Sequence, residues 1–299
     1  MVNRVAIAQL CSTSNKLSNL QQISHCASKA KEAGASLLCL PECFGFMADE
    51  KHRTVDHAEI LNDDDETAAS SILFRGLQDI AREHGLWISG GGMHEAGAPA
   101  NVPSGTARVY NTHIIMDDAG SVVAKYRKVH LFDVSVPEKN VNLKESASTA
   151  PGDCGVVVCD SPVGRLGLTT CYDVRFPEQF IKMRELGAQV LLVPSAFTVP
   201  TGDAHWHVLL RARAIEQQCY LLAAAQVGKH NGKRTSYGHS LAVDPWGKVL
   251  VDAGGNAEDE NSQSLVPSIV TCEIDLNYLD SVRKNMPIDL HRSQAEPYL

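Results

Sequence analysis

The chain repeats itself once. "GASLLCLPECF" (Gly34–Phe44) aligns with "GAQVLLVPSAF" (Gly187–Phe197): Gly-Ala, a short apolar run, Pro, two residues, Phe. A second pair follows in the same order. "YNTHIIMD" (Tyr110–Asp117) matches "YGHSLAVD" (Tyr237–Asp244), and each leads through a glycine-bearing turn to valine. Short apolar runs closed by proline read as strands buried on both faces. Helix-period stretches lie between them: Asn19 to Ala33, with Leu20, Ile23, Ala27 and Ala30 on one face, then Thr67 to Gly85, Pro177 to Leu186 and Ala204 to Gln217. Two halves of like build predict an α/β chain in which two sheets pack face to face. Helices would cover the outer faces, because every apolar face needs a partner.

The remaining strands are "RVAIAQL", "LWISGGG", the run into Cys171, "CYLLAAAQ", "KVLVDA" and "SIVTCEID". "RVYNTHIIMDDAGSVVAKY" reads as two strands around a turn at Asp118–Gly120. Ala96 to Thr106 is a loop by composition, and Glu258 to Ser264 a polar surface loop.

Composition excludes several classes. No apolar run approaches the roughly 20 residues of a membrane helix. Lys and Arg number 27 against 35 Asp and Glu, and the basic residues are scattered. A nucleic-acid partner would call for a basic patch. The nine cysteines are odd in number, several sit in apolar runs, and no N-x-S/T acceptor occurs. That pattern predicts reduced thiols in a cytosol-like compartment.

The repeat breaks at one informative place. Where the second half has Ser195, the first has Glu42, just past a buried strand. A carboxylate there needs a partner, a task or solvent. Lys128 lies in "KYRKVHLFD", where alternation puts Tyr126 and Lys128 on one strand face and Lys125 and Arg127 on the other. Cys171 ends "VGRLGLTTC" at a strand-to-helix turn crowded by Asp173, Arg175 and Glu178. A helix N-terminus and a nearby cation would favour its thiolate. Each residue also has a bland reading: a solvated strand-end acid, a solvated lysine cluster, a small core thiol. Brought to one sheet edge, the three would perform acyl transfer. The carboxylate takes the thiol proton, the thiol attacks a carbonyl, and the ammonium stabilises the oxyanion.

Other motifs are weaker. His205 and His207 form an H-x-H pair without a third metal ligand at sensible spacing. Cys154 and Cys159 have no second pair to complete a zinc site. "SGGGMHE" lacks the spacing of a nucleotide loop.

The segments "LPECF", "YRKVHLFD" and "CYDVRFPE" resemble the nitrilase superfamily of carbon–nitrogen hydrolases, in the same order along the chain. "AHWHVLLRARAIEQQCYLLAAAQVGKH" and "RTSYGHSLAVDPWG" are similar to its deaminated glutathione amidase branch. The resemblance implies a four-layer α-β-β-α sandwich over residues 1–285, with the tail 286–299 in a dimer contact. It implies Cys171 as nucleophile, Glu42 as base, Lys128 in the oxyanion hole with the Tyr172 N–H, and Glu145 as a second, positioning glutamate. An exposed loop carboxylate is the alternative for Glu145. The implied substrate is a small carboxylate-bearing amide, such as deaminated glutathione, with ω-amidase chemistry or a non-catalytic scaffold as alternatives. No metal or organic cofactor is implied. Arg175 would clamp a substrate carboxylate, or else pair with Asp173 or Glu178. Phe197 and Thr198 would line the acyl pocket, or else pack in the core. A homodimer or higher homo-oligomer in the cytoplasm is expected, with a mitochondrial form left open. The branch has Glu where this chain has His207, a departure that bears on local hydrogen bonds.

Overall fold

A computed structural model describes residues 2–62, 71–100, 105–136, 141–255 and 267–294. The first half runs β1 (Val2–Leu10), α1 (Lys16–Glu32), β2 (Leu37–Cys39), α2 (Lys51–Asp56), α3 (Ile72–His84), β3 (Trp87–Ala98), β4 (Arg108–Met116) and β5 (Val122–Arg127). A small hairpin, β6 (Asp133–Val136) and β7 (Val141–Lys144), follows. The second half runs β8 (Val157–Cys159), β9 (Leu166–Leu168), α4 (Pro177–Glu185), β10 (Val190–Leu192), α5 (Val199–Gln217), β11 (Tyr220–Ala223), β12 (Ala225–Lys229), β13 (Thr235–Tyr237), β14 (Leu241–Val243) and β15 (Val249–Asp252). The chain closes with β16 (Ser268–Asp275), α6 (Leu276–Asn285) and α7 (Ile288–Gln294).

The two halves share one topology. In the first, β1, β2 and β3 are parallel neighbours and β4 and β5 extend the sheet antiparallel. In the second, β9, β10 and β11 are parallel neighbours and β14 and β15 extend it antiparallel. The repeated segments fall on equivalent strands, β2 with β10 and β4 with β14.

Strand alternation builds the layers. On β1, Val5 and Ile7 face the other sheet, while Ala6, Ala8 and Leu10 face the helices. On β10, Val190 and Leu192 join the inter-sheet core, while Leu191, with Val193 just after the strand, packs under α4 and α5 with Phe180, Met183, Trp206 and Leu210. Ile23, Ala27 and Ala30 of α1 bury the predicted face. Each such buried aliphatic side chain contributes about 1.5–3 kcal/mol, so both faces of every central strand favour the sandwich. The α-β-β-α architecture is thereby present.

Several expected elements differ. "CYLLAAAQ" is two strands: β11 lies in the second sheet and β12 pairs with β1 in the first. The "YGHSLAVD" segment divides likewise into β13 and β14, with Gly238 at φ 86 and His239 at φ 60 in the bend. α1 begins at Lys16 because the Asn15 side chain accepts from the Ser18 N–H. α5 begins at Val199, five residues before the expected start, with Pro200 in its first turn where a missing N–H costs nothing. Gly202 there is required: a Cβ would lie 2.2 Å from the Tyr237 ring. β3 runs on past the glycine run to Ala98 through two register shifts. The short α2 was not anticipated. The predicted loop at Glu258–Ser264, residues 67–70 of the expected helix Thr67–Gly85, and residues 101–104 of Ala96–Thr106 lie outside the described residues. No helix among the described residues is long and apolar enough to cross a membrane.

Candidate active site

The C-terminal ends of β2, β5 and β9 meet where the two sheets face each other. Glu42 follows Pro41 at the end of β2 and is 4% exposed. Lys128 follows the last residue of β5 and is 2% exposed. Cys171 begins a 3-10 turn (Cys171–Arg175) after β9 and is 9% exposed. Close approach of backbone makes this convergence possible. A Cβ on Gly91 would lie 2.1 Å from the Leu40 carbonyl and 2.3 Å from Pro194, and one on Gly92 2.7 Å from Asn111. The glycine run in "SGGGMHE" therefore serves packing around Glu42.

Glu42 is held at both oxygens. Its Oε1 accepts from Asn111 Nδ2 at 2.8 Å and from Lys128 Nζ at 3.0 Å, and its Oε2 accepts from the Ala196 N–H at 3.1 Å. Lys128 Nζ also donates to both oxygens of Glu145, at 3.1 and 3.0 Å. Glu145 sits in the 3-10 turn Glu145–Ala147 after β7, where it also accepts from the Phe132 N–H at 2.6 Å. The exposed-loop alternative for this glutamate does not fit that geometry. Breaking a buried pair by deleting one partner costs about 3–5 kcal/mol, so Lys128 is locked by two carboxylates at once.

Burial alone would push the Glu42 carboxyl up. The charges of Lys128 and Arg234 and a hydrogen bond from the Cys171 thiol outweigh it and hold the carboxyl below its usual range. Burial works against the Lys128 charge, but Glu145 and Glu42 together hold it well above the usual lysine value. Cys171 runs opposite to expectation. Burial, then the Glu42 charge, push its thiol well above the ordinary value, and Lys128 and the Ala196 N–H do not reverse this. The thiolate expected from a helix N-terminus is absent because α4 starts only at Pro177 and the thiol is buried beside a carboxylate. The directions of the two shifts favour a neutral thiol beside an ionised carboxylate.

The Cys171 turn is fixed by Asp173, which the sequence showed only as one of the charges crowding it. Asp173 is fully buried. Its Oδ2 accepts from the Thr170 N–H at 2.9 Å and Tyr126 Oη at 2.8 Å, and its Oδ1 faces His130 Nδ1 at 2.7 Å. Asp173 thus ties the Cys171 turn to the segment that carries Lys128. Asn111, a residue missed in the sequence, lies among Arg108, Tyr110, Thr112 and His113 in the polar part of β4, so nothing local singled it out. Cys171 at φ 52 and Cys43 at φ 56 both take left-handed backbone, as strained positions at such sites do.

The outer residues are placed less uniformly. Tyr172 is half-buried, with ring contacts to Phe132 and Phe176. Arg175 pairs with neither Asp173 nor Glu178. Its guanidinium lies over the Tyr172 and Phe197 rings, at 5.7 and 5.8 Å, and 3.2 Å from His205 Nδ1. Phe197 is buried against Trp206, at 4.8 Å between ring centroids. Thr198 precedes α5, with its hydroxyl on Thr201 at 2.8 Å.

Fold and site together define an α-β-β-α hydrolase. The carbon–nitrogen hydrolase family model matches residues 4–284. The chain is 44% identical over 293 residues to the deaminated glutathione amidase of Dictyostelium discoideum, covering 97% of this chain and 94% of that protein. Its structure is similar to the Caenorhabditis elegans NitFhit protein, with TM-score 0.83 and 40% identity, over 97% of this chain and 65% of that one. It is also similar to an amidase from Nesterenkonia sp. AN1, solved as a glutamine mutant with acrylamide added at the active-site cysteine. There the TM-score is 0.71 and the identity 27%, over 98% of this chain and 100% of that one. The chain belongs to the carbon–nitrogen hydrolase family, and it is a hydrolase of carbon–nitrogen bonds in amides.

Proposed function

We propose that the chain hydrolyses a small carboxylate-bearing amide, foremost deaminated glutathione to 2-oxoglutarate and Cys-Gly, with Cys171 as nucleophile. One observation carries this reading: Glu42 is buried and held by Lys128, Asn111 and the Ala196 N–H, and its carboxyl stays ionised beside the Cys171 thiol. As Sγ attacks the amide carbon, the thiol proton passes to Glu42. The developing oxyanion is stabilised by Lys128, with the Tyr172 N–H beside it. Glu42 returns the proton to the leaving amine, and the C–N bond breaks to leave a thioester. Water then attacks the thioester, giving a proton to Glu42, and the carboxylic acid leaves as the thiol is restored. Glu145 holds Lys128 in place throughout. Asn111 and the Ala196 N–H keep the Glu42 carboxylate aimed at the thiol. A thiol neutral at rest makes this base necessary, since a free thiolate would not need one.

The cations at the mouth support a carboxylate-bearing substrate. Arg175 has no carboxylate within ion-pairing distance among the described residues, and aromatic faces hold its guanidinium plane. Arg234, between β12 and β13, is exposed, and its charge reaches Glu42. The relative from Dictyostelium discoideum named for deaminated glutathione supports that amide. Exposed Val208 and Ile215 on α5, with Trp246, support a homodimer joined across that helical layer.

The test offers the purified protein deaminated glutathione and, separately, 2-oxoglutaramate, and measures 2-oxoglutarate release by wild type and Cys171→Ala. Release from deaminated glutathione that vanishes in the variant is the expected result. Release mainly from 2-oxoglutaramate keeps the mechanism and moves the substrate to an ω-amidase. A folded wild-type protein that releases nothing from either overturns the substrate reading.

A further inference from the structure

His207 stands on α5, His239 in the bend between β13 and β14, and Asp252 at the end of β15. Spacings of 32 and 13 residues hide the group from any sequence pattern. His207 Nε2 lies 2.8 Å from Asp252 Oδ2. His239 Nδ1 lies 3.0 Å from Asp252 Oδ1 and 3.1 Å from Oδ2. The two imidazoles sit edge to face, 5.0 Å apart, and all three ligand atoms fall within 4.8 Å of one another. The H-x-H pair suggested by sequence is thus divided: His205 turns to Arg175, and His207 finds its partners on other elements.

We propose that His207, His239 and Asp252 form a binding site for one divalent first-row transition-metal ion, with water completing its coordination. Two imidazoles and a carboxylate suit Zn²⁺, Co²⁺ or Ni²⁺. Metal–ligand bonds of about 2.1 Å place neighbouring ligands of an octahedral ion about 3.0 Å apart. The nitrogen–oxygen separations, 2.8 Å from His207 Nε2 and 3.0 Å from His239 Nδ1, match that spacing, and the three ligand atoms lie within 4.8 Å of one another. The side chains are 35%, 24% and 27% exposed, open enough for water to take the remaining positions.

The surroundings fix the ligands. The Gly254 N–H donates to Asp252 Oδ1 at 2.8 Å. Trp206 Nε1 donates to the His239 carbonyl at 2.8 Å, and the His239 N–H donates to the Gly254 carbonyl at 3.0 Å. The Tyr237 ring stacks on His239 at 4.5 Å. Gly255 leaves the ring room, since a Cβ there would come within 2.8 Å of His239 Nε2. Such outer contacts orient metal-binding imidazoles. The ion would clamp α5 to the β14–β15 hairpin, and this is independent of which amide the enzyme cleaves.

The test uses the full chain, stripped with chelator, then titrated with CoCl₂ and ZnCl₂. Wild type is expected to bind one equivalent, to melt at a higher temperature with metal, and to give a Co²⁺ spectrum without thiolate charge transfer. His207→Gln keeps a donor for Asp252 but removes a good ligand. At least a tenfold loss of affinity is expected, together with loss of the melting shift, while circular dichroism stays unchanged. Asp252→Asn serves as the second variant. Binding unchanged in both variants, a thiolate-type spectrum, or no uptake from a tenfold excess of metal overturns the proposal.

Discussion

The two halves of this molecule are the same piece of architecture used twice, and they part company over two adjacent residues. In both, a strand ends, a backbone N–H reaches the next strand, and a proline follows. Leu40 N donates to Ser89 O and Val193 N to Leu222 O, each at 2.9 Å. Pro41 and Pro194 then occupy equivalent places. In the first half the Cys43 N–H is used up on the Gly92 carbonyl at 3.0 Å. In the second, its counterpart Ala196 leaves its N–H for the Glu42 side chain at 3.1 Å. The first half thus supplies a buried charge and the second supplies the donor that holds it. The pseudo-symmetric fold creates two equivalent strand ends, and of these two the first carries a buried carboxylate and the second a serine.

Removing the charge should have the largest effect. Glu42→Gln keeps the shape and leaves Asn111, Lys128 and Ala196 facing an amide. Loss of a proton acceptor costs about 10²–10⁴-fold in turnover, so kcat in the amide assay should fall by that factor while the chain stays folded. A loss of tenfold or less would mean that Glu42 only positions Lys128. The pH dependence of wild-type stability sharpens the point. Glu42 is depressed in the folded chain, so its contribution is present above its unfolded value, about 4.3, and disappears as pH falls through the lower folded value. Lys128 and Cys171 are raised. Their contributions are complete below the unfolded values, about 10.4 and 8.5, and are lost as pH rises toward the folded ones. Urea unfolding should give a stability plateau between about pH 5 and 8, and Glu42→Gln should flatten the acid edge.

Asp173 ranks second. It joins the Cys171 turn of the second half to Tyr126 and His130 of the first. Asp173→Asn leaves at least one of those donors facing an amide N–H. A buried unsatisfied polar group costs about 1–3 kcal/mol. In a domain of this size that lowers the melting temperature by about 2–4 °C per kcal/mol, and calorimetry checks it. Unchanged stability would mean that the two halves dock without this link.

What the sequence made legible follows from range. The repeat, the α1 face and the strand runs rest on neighbours a few residues apart, so periodicity exposed them. Glu42, Lys128 and Cys171 were legible because each breaks a local rule: a charge after a buried strand, a lysine sharing a face with an aromatic, a thiol at a strand end. Their ionisation was not legible. Whether Cys171 is thiol or thiolate depends on burial and on a carboxylate 129 positions away in the chain. The same limit hid Asp173, whose acid looks like ordinary turn polarity, and the split of "CYLLAAAQ", whose two ends are equally apolar but belong to different sheets. Glu145 was found through the family resemblance alone, since only the fold brings it to Lys128.

Ser195 supplies the smallest and most discriminating prediction. It occupies the position equivalent to Glu42 and is fully buried. Its hydroxyl donates to the Val193 carbonyl at 3.2 Å, while its backbone N–H and carbonyl bond to the second sheet's neighbour and to Gln226. The main chain, not the side chain, therefore sets where the Ala196 N–H points. Ser195→Ala removes one neutral hydrogen bond, worth about 0.5–1.5 kcal/mol, and leaves the backbone bonds intact. Turnover in the amide assay should stay within about twofold of wild type, with a slight fall in melting temperature. A tenfold drop in kcat at unchanged stability would show that the second strand end contributes a side chain after all. The division of labour between the halves would then lie elsewhere than in the Glu42–Ala196 bond.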